Sequence, residues 1–536
     1  MDIFTLLSKN NESTWVKIVT AAVIAGLMQA SIVVVINSAA YNIAEGGLNL
    51  RYFLLFLLSV TGYGVANYYA ANKTVALTSH VIFAMYERMA DKLRNADLRS
   101  FEKIGKNTIY QRLYTNSDII METAKTLPSV GASLVMIVFC AFYIAYLSLT
   151  AIFVVVVFYA FGTFIYLSIN KQTVAKITAA SRRESEFKKT FRHFIEGFKE
   201  LKINRKKSED LLQNYTATAS QLANQDKTAM EKTLEQANVF VQCFYYTLIA
   251  FIVFLLPQIS ALSPAAIVTI AAVVLFSYGS VTRVVMSIPL ILKATNAIEK
   301  VQSLEADLDA ADDTQQFSEE ELPKATPSEL CLKEALFRYT EIENHPFTVG
   351  PINFSVKTGE IAFIVGENGS GKSTLLKLMA GLYCPEKGTL AYNGQTLSPE
   401  NYGHYREQLS VIFTDFHLFD RFYGMTSVNK ADVDGLLSKM ALEKSTEFVA
   451  GQFSNLKLSQ GQKKRLALLY SNLEDKEILI FDEIASDLDP TFRKYFYEQY
   501  LPELAAKGKM IIVACHDEKY FHMANKTLQL HAGKMI

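Results

Sequence analysis

"GEIAFIVGENGSGKSTLLKLMAGL", Gly359–Leu382, changes character twice in a short space. Ile361–Val365 is a brief apolar run, too short for a helix, and Leu375, Leu376 and Met379 then recur at helical spacing. Between them Gly366–Thr374 fits GxxxxGK[ST], with the strand before it and the helix after it that the motif requires. Gly366, Gly369 and Gly371, with Asn368, Ser370 and Thr374, let backbone N–H groups close around phosphate. The helix N-terminus adds its dipole, Lys372 reaches toward the outer phosphates, and Ser373 offers a hydroxyl to Mg2+. An α/β nucleotide-binding domain is expected, with ATP as its ligand.

Downstream, "ILIFDE" (Ile478–Glu483) ends a buried strand on two acids. Asp482 can hold a metal and Glu483 can orient or deprotonate an attacking water. By itself such a pair is as readily a strand-end cap. His516 in "VACHDE" ends another strand, and a lone histidine there is more often a satisfied polar residue than a ligand. "LSQGQKKR" (Leu458–Arg465) is a second loop of phosphate-contacting type in a chain that already has one.

The other end of the chain belongs to a different solvent. The 536 residues carry 53 basic and 53 acidic side chains, so net charge names no partner and gives no reason to expect nucleic acid. Six stretches are long and apolar enough to span a bilayer: Trp15–Ile36, Leu50–Asn72, Leu127–Leu147, Leu149–Ile169, Val239–Leu256 and Pro264–Leu292. The third and fourth are separated so briefly that a tight hairpin must join them. Lysine and arginine concentrate in the two long connections, residues 73–126 and 170–238, which places those loops and both termini on the cytoplasmic side. In the first of these loops Ile82, Met85, Met89 and Leu93 share one helix face, so the spans should continue outward as helical arms. Their basic residues are explained by topology and solvation without a lipid site. The N-terminus lacks a basic start and a cleavage site, so the first apolar run is expected to stay as a span. Five scattered cysteines without CxxC spacing suggest neither a disulfide framework nor zinc.

Residues 303–328, "SLEADLDAADDTQQFSEEELPKATPS", are acidic and poor in large apolar side chains, as in a solvated connector. The expected domains are therefore 1–302, a six-helix transmembrane domain with long cytoplasmic extensions; 303–328, an acidic linker; and 329–536, the nucleotide-binding domain. Polar side chains within the spans are candidates to face a cavity: Gln29, Asn37, Asn67, Tyr68, Tyr69, Gln242, Tyr245, Tyr246, Tyr278 and Arg283. Hydrogen bonding between helices is the plainer role for any one of them.

The order of "GENGSGKST", "LSQGQKKR", "FDE", "SDLD" and "CHD" behind six spans resembles an ABC exporter half-transporter. That resemblance implies a six-span α-helical transmembrane domain followed by an α/β P-loop ATPase. It also implies two ATPase domains pairing head to tail, so Ser459, Gly461 and Gln462 would serve the partner's ATP. By position Tyr339 matches the adenine-stacking aromatic, Glu483 the catalytic base, Asp489 the D-loop acid and His516 the switch histidine, with Lys372 on the phosphates. Ser373 and Asp482 match the Mg2+ site. Two positions depart: Gln460 replaces a glycine of LSGGQ, and Thr414 stands where the family has its coupling glutamine, leaving Thr414 or Asp415 for that contact and Thr414 as a third expected metal ligand.

"FTVGPINFSVKTGE", "FTDFHLFD" and "NLKLSQGQKKR" are similar to a bacterial branch that exports cyclic peptides and peptide siderophores, the pyoverdine- and syringomycin-exporter type. It implies a homodimer in the bacterial inner membrane, moving a peptide-like cargo by alternating access, with efflux partners in the periplasm and outer membrane. A lipid or multidrug exporter, or an ATP-dependent membrane sensor, would share the ATPase motifs.

Overall fold

The computed structural model describes residues 3–44, 50–311, 328–339, 347–398, 401–425 and 428–536. The chain forms two compact units, one made of Met1–Arg88 and Tyr110–Ser303, the other of Met89–Ile109 and Leu304–Ile536.

The first unit is helical. Among the described residues, five helical segments are long and apolar enough to cross a membrane, and Leu149–Ile165 is a shorter apolar stretch. Each expected span lies inside an observed helix or helical run: Glu12–Ala44, Leu50–Asn95, Asn116–Leu147, Leu149–Glu196, the run through Ala217–Ala250, Phe251–Leu255 and Leu256–Ile259, and Pro264–Asp309. The hairpin between the third and fourth is the single residue Ser148, extended at φ −164° and ψ 123°, whose hydroxyl accepts from Ala151 N to start the next helix. At 1.5 Å per residue, helices of 46 and 48 residues measure about 70 Å, over twice a bilayer core of about 30 Å. They continue well beyond it, as the amphipathic pattern around Met85 required.

Ala30, Val33, Met136, Cys140, Ile144, Val155, Leu248, Ile252 and Val273 form the buried core of the bundle. Leu54, Leu58, Val65, Phe142 and Phe153 point outward, an arrangement suited to lipid. Tyr245, a cavity candidate by sequence, is instead buried in the core. Its hydroxyl meets Tyr159 Oη at 2.6 Å and Ser277 Oγ at 2.9 Å. Arg283 Nη1 donates to Ser133 Oγ at 3.1 Å, while Gln29 Oε1 and Asn37 Nδ2 are buried without a hydrogen-bond partner among the described residues.

The second unit holds the expected α/β domain, with strands β1 (Glu329–Arg338), β2 (Thr348–Lys357), β3 (Ile361–Gly366), β4 (Lys387–Tyr392), β5 (Gln395–Thr396), β6 (Leu409–Ile412), β7 (Phe448–Val449), β8 (Gln452–Phe453), β9 (Ile478–Asp482), β10 (Met510–Ala514), β11 (Lys526–His531) and β12 (Lys534–Met535). One sheet runs β2-β1-β4-β5, a second runs β12-β11-β3-β10-β9-β6 and is parallel from β11 to β6, and β7 pairs with β8 alone. Alternation assigns the faces of the second sheet. Phe363, Leu479, Phe481, Ile511 and Val513 enter one core, and Ala362, Ile364, Ile478, Ile480 and Ile512 the other. A parallel sheet covered on both sides explains why these strands read as unbroken apolar runs.

Of the acidic connector expected over residues 303–328, the part through Asp309 closes the last long helix, and 312–327 lie outside the described residues. Residues 89–109, the tip of the first arm, belong to the ATPase-type unit.

Candidate functional site

Register builds the site. Ile364 of β3 pairs with Ala514 of β10, Ala514 pairs with Asp482 of β9, and Phe481 pairs with Ile412 of β6. The residues just beyond this row are Gly366, His516, Glu483 and Thr414. Parallel strands thus bring four motifs from distant parts of the chain to one sheet edge, where open α/β sheets bind ligands.

At that edge the phosphate loop turns into the helix Lys372–Met379 through Gly371, which adopts φ 103°. A side chain there would be strained, and its Cβ would lie 2.8 Å from Val349 Cγ2. Lys372 is 4% exposed, and its Nζ donates to the Gly366 and Glu367 carbonyls, each at 3.0 Å. Burial lowers the ammonium pKa, against the pull of Glu483 and Asp482. The lysine thus rests on the carbonyls of its own loop, and a polyphosphate is the natural competitor for it.

Glu483 takes φ 52° and ψ 36°, left-handed geometry that is costly for a residue with a Cβ. That turn directs the side chain to His516, with Glu483 Oε1 and His516 Nε2 2.6 Å apart, and places Lys372 Nζ 3.8 Å from the same oxygen. The base candidate is therefore positioned by two groups that can also meet a terminal phosphate.

Asp482 is 1% exposed, and neither carboxylate oxygen has a hydrogen-bond partner among the described residues. Desolvation raises its pKa; Ser373, Lys372 and the Thr414 backbone N–H favour the charged form, but none closes a hydrogen bond on it. An orphaned buried carboxylate beside a serine hydroxyl fits a hard divalent cation. Among the described residues no cluster of three His, Cys, Asp or Glu could hold a metal, so phosphate oxygens and water would complete the shell of a magnesium ion. The Thr414 and Asp415 side chains are exposed in the turn after β6, and Thr414 meets Asp482 through its backbone.

Tyr339 lies just past β1, its hydroxyl 3.2 Å from Thr374 Oγ1 and its ring edge-on to Phe337 at 5.2 Å. Phe337 in turn stacks on Tyr383 at 4.5 Å. The short helix Leu98–Ile104 joins this group: Glu102 accepts from Lys377 Nζ at 2.7 Å and from the Tyr383 hydroxyl, and Leu98 packs against the same cluster. Sequence reading missed this dock, since nothing local in "DLRSFEKIG" marks a binding face.

The signature residues make different contacts. Ser459 caps the helix Gln460–Glu474 in a capping box with Gln462, and Gln462 Nε2 donates to Ser445 Oγ at 2.9 Å. A Cβ on Gly461 would stand 2.6 Å from the Asp487 carbonyl, so this helix rests directly on the turn after Glu483. Ser459 and Gln462 bond to each other and Gln462 to Ser445, all within one chain, while Ser459 and Gln460 stay exposed. Asp489, the expected D-loop acid, caps the helix Pro490–Tyr495 and pairs with Arg465.

Residues 349–486 match the ABC transporter family. The chain is 26% identical over 530 residues to the ATP-binding protein SyrD of Pseudomonas syringae pv. syringae, an overlap of 96% of this chain and 92% of that protein. It is 32% identical over 213 residues to the energy-coupling factor transporter ATP-binding protein EcfA1 of Mycoplasma genitalium, covering 37% of this chain and 74% of that one. A solved structure of a bacterial Atm1-family ABC exporter with ATP bound aligns at a TM-score of 0.74 and 15% identity, over 98% of this chain and 94% of the other, a likeness of fold.

Proposed function

Since the chain belongs to the ABC transporter family and is an ATP-driven exporter half-transporter, we propose that it acts as a homodimer carrying a peptide-like compound across the bacterial inner membrane. The cargo class rests on the sequence resemblance to cyclic-peptide and siderophore exporters, with which the end-to-end match to SyrD is compatible. Efflux partners in the periplasm and outer membrane would receive it.

One observation carries the two-chain reading. The sheet edge gathers the phosphate loop, Asp482, Glu483 and His516, while Ser459 and Gln462 form the capping box of a different helix and Ser459 stays exposed. A nucleotide on the phosphate loop is then completed by the exposed signature loop of a second copy, and each dimer holds two such sites.

In the proposed cycle ATP displaces Lys372 Nζ from the Gly366 and Glu367 carbonyls and takes its charge onto the outer phosphates. Tyr339 stacks on the base. Ser373 and Asp482 would hold a magnesium ion, which would supply the neutralising charge that phosphoryl transfer requires. Glu483, turned by its left-handed backbone and held by His516, accepts a proton from the attacking water. Closing two sites draws the arms together and turns the cavity outward. Moving such an equilibrium from 1:99 to 99:1 takes about 5.5 kcal/mol of differential binding, within reach of two charged nucleotides in one interface.

The test is a crosslinked mixed dimer with Lys372→Ala on one chain and Ser459→Arg on the other. Both defects then fall on one composite site and the second binds nucleotide normally. Equal weakening of both sites would overturn the head-to-tail arrangement.

A further inference from the structure

Lys464 belongs to the signature helix Gln460–Glu474, yet it is 4% exposed. With Gly461, Leu468 and Ser471 it falls on a stripe at helical spacing, so a charged side chain occupies a position that the period gives to packing. A buried ammonium is tolerated only when its donors are used. Here all three are: Lys464 Nζ donates to the Glu483 carbonyl at 2.8 Å, to Ser486 Oγ at 2.7 Å and to Asp487 Oδ2 at 2.6 Å. Ser486 Oγ also donates to the Glu483 carbonyl, at 2.8 Å. The ammonium holds the Asp487 carboxyl below the usual carboxylate range.

We propose that Lys464 is the positioning residue for Glu483, and that it ties the readiness of one ATP site to occupancy of the other. The first half rests on geometry. Glu483 keeps its left-handed backbone only if its surroundings impose it, and the peptide that turns the carboxylate toward His516 is the one whose oxygen Lys464 grips. The second half rests on the proposed assignment of Glu483 as base and of Ser459 as a contact to the partner's ATP. Ser459 caps the same helix, and Gly461 seats it on the Asp487 carbonyl, so a displacement at the cap moves Lys464 with it. Each base is then aligned when the opposite site is filled. Lys464→Arg should not restore the arrangement, because a planar fork does not match three acceptors placed around a point charge.

The experiment measures ATPase kinetics of the full-length protein in lipid for wild type, Glu483→Gln, Lys464→Met, Lys464→Gln and Asp487→Asn. Lys464→Met should lower kcat by roughly 10- to 100-fold, the loss expected when a reacting group is misplaced by about 1 Å. KM for ATP stays within about twofold, since the group binds no nucleotide. The wild-type Hill coefficient for ATP, expected above 1, falls to about 1. Lys464→Gln, which keeps two N–H donors, lies between, and Asp487→Asn gives a smaller drop of the same kind even where the lysine variants fold poorly. Near-normal kcat in Lys464→Met with Glu483→Gln inactive would overturn the inference and leave the base assignment standing. A parallel loss of kcat and ATP affinity would reduce Lys464 to a structural residue. Activity retained in Glu483→Gln would remove the base assignment first, and the inference with it.

Discussion

Replacing Asp482 by Asn should make the metal-free protein more stable while removing its response to magnesium and nucleotide. The carboxylate is 1% exposed and both oxygens lack hydrogen-bond partners among the described residues. A buried polar group left unpaired costs about 1–3 kcal/mol, more when charged. Lys372 offsets part of that, and Asn leaves its own carbonyl unpaired, so the substitution should recover about 1–2 kcal/mol. For a unit of this size that corresponds to a Tm about 2–8 °C higher. The sign of the pH dependence follows from the raised pKa. Because the folded-state value lies above the unfolded one, protonation favours the folded protein, and the ionised form is a cost that appears as pH rises through the folded pKa. The stability gap between variant and wild type should therefore narrow as pH falls from neutral toward that value. The assay is thermal unfolding in chelator across this range, then with ATP and magnesium in a Glu483→Gln background to prevent turnover. A variant no more stable than wild type in chelator, or one stabilised as strongly by magnesium–ATP, would refute the reasoning.

Three further outcomes are expected. Lys372→Ala should abolish ATP hydrolysis and weaken binding of a fluorescent ATP analogue at least about tenfold, because the ammonium now on the Gly366 and Glu367 carbonyls is the one that ATP would recruit. Glu102→Gln weakens the contact to Lys377 and Tyr383; hydrolysis should stay within about twofold while transport per ATP falls severalfold, measured together in proteoliposomes. Gly461→Ala drives a Cβ to 2.6 Å from the Asp487 carbonyl, so a loss of about 1–3 kcal/mol should accompany a lower kcat, read by thermal unfolding and phosphate release.

What the sequence revealed was what neighbouring residues encode. The spans were legible because a backbone in lipid must bond internally, so apolar length alone sets them. The one-residue hairpin at Ser148 followed because the combined run was too long for one span. The phosphate loop was legible because glycine spacing, lysine and serine form a contiguous motif. The convergence of Gly366, Thr414, Glu483 and His516 was not, since it depends on the strand order β3-β10-β9-β6, which no local pattern states. Family resemblance supplied it instead. Tyr245 looked like a cavity residue because a hydroxyl in a span has two explanations, and only packing against Tyr159 and Ser277 separates them. Lys464 carried a legible signal, a charge at a buried position of the helical period, but the stretch Leu458–Arg465 reads as a phosphate-contacting loop, in which a lysine needs no further explanation. The place of residues 89–109 with the ATPase unit had no local marker, because the dock is made by Phe337, Lys377 and Tyr383, far along the chain.

The central claim is ATP-driven export of a peptide-like compound, and comparing culture medium with cell extract by mass spectrometry tests it most directly. The native host is grown with the intact protein and with Glu483→Gln. A peptide-like metabolite lost from the medium and retained in cells carrying Glu483→Gln is the predicted result. An unchanged medium, or a compound that only intact cells remove from it, would contradict export.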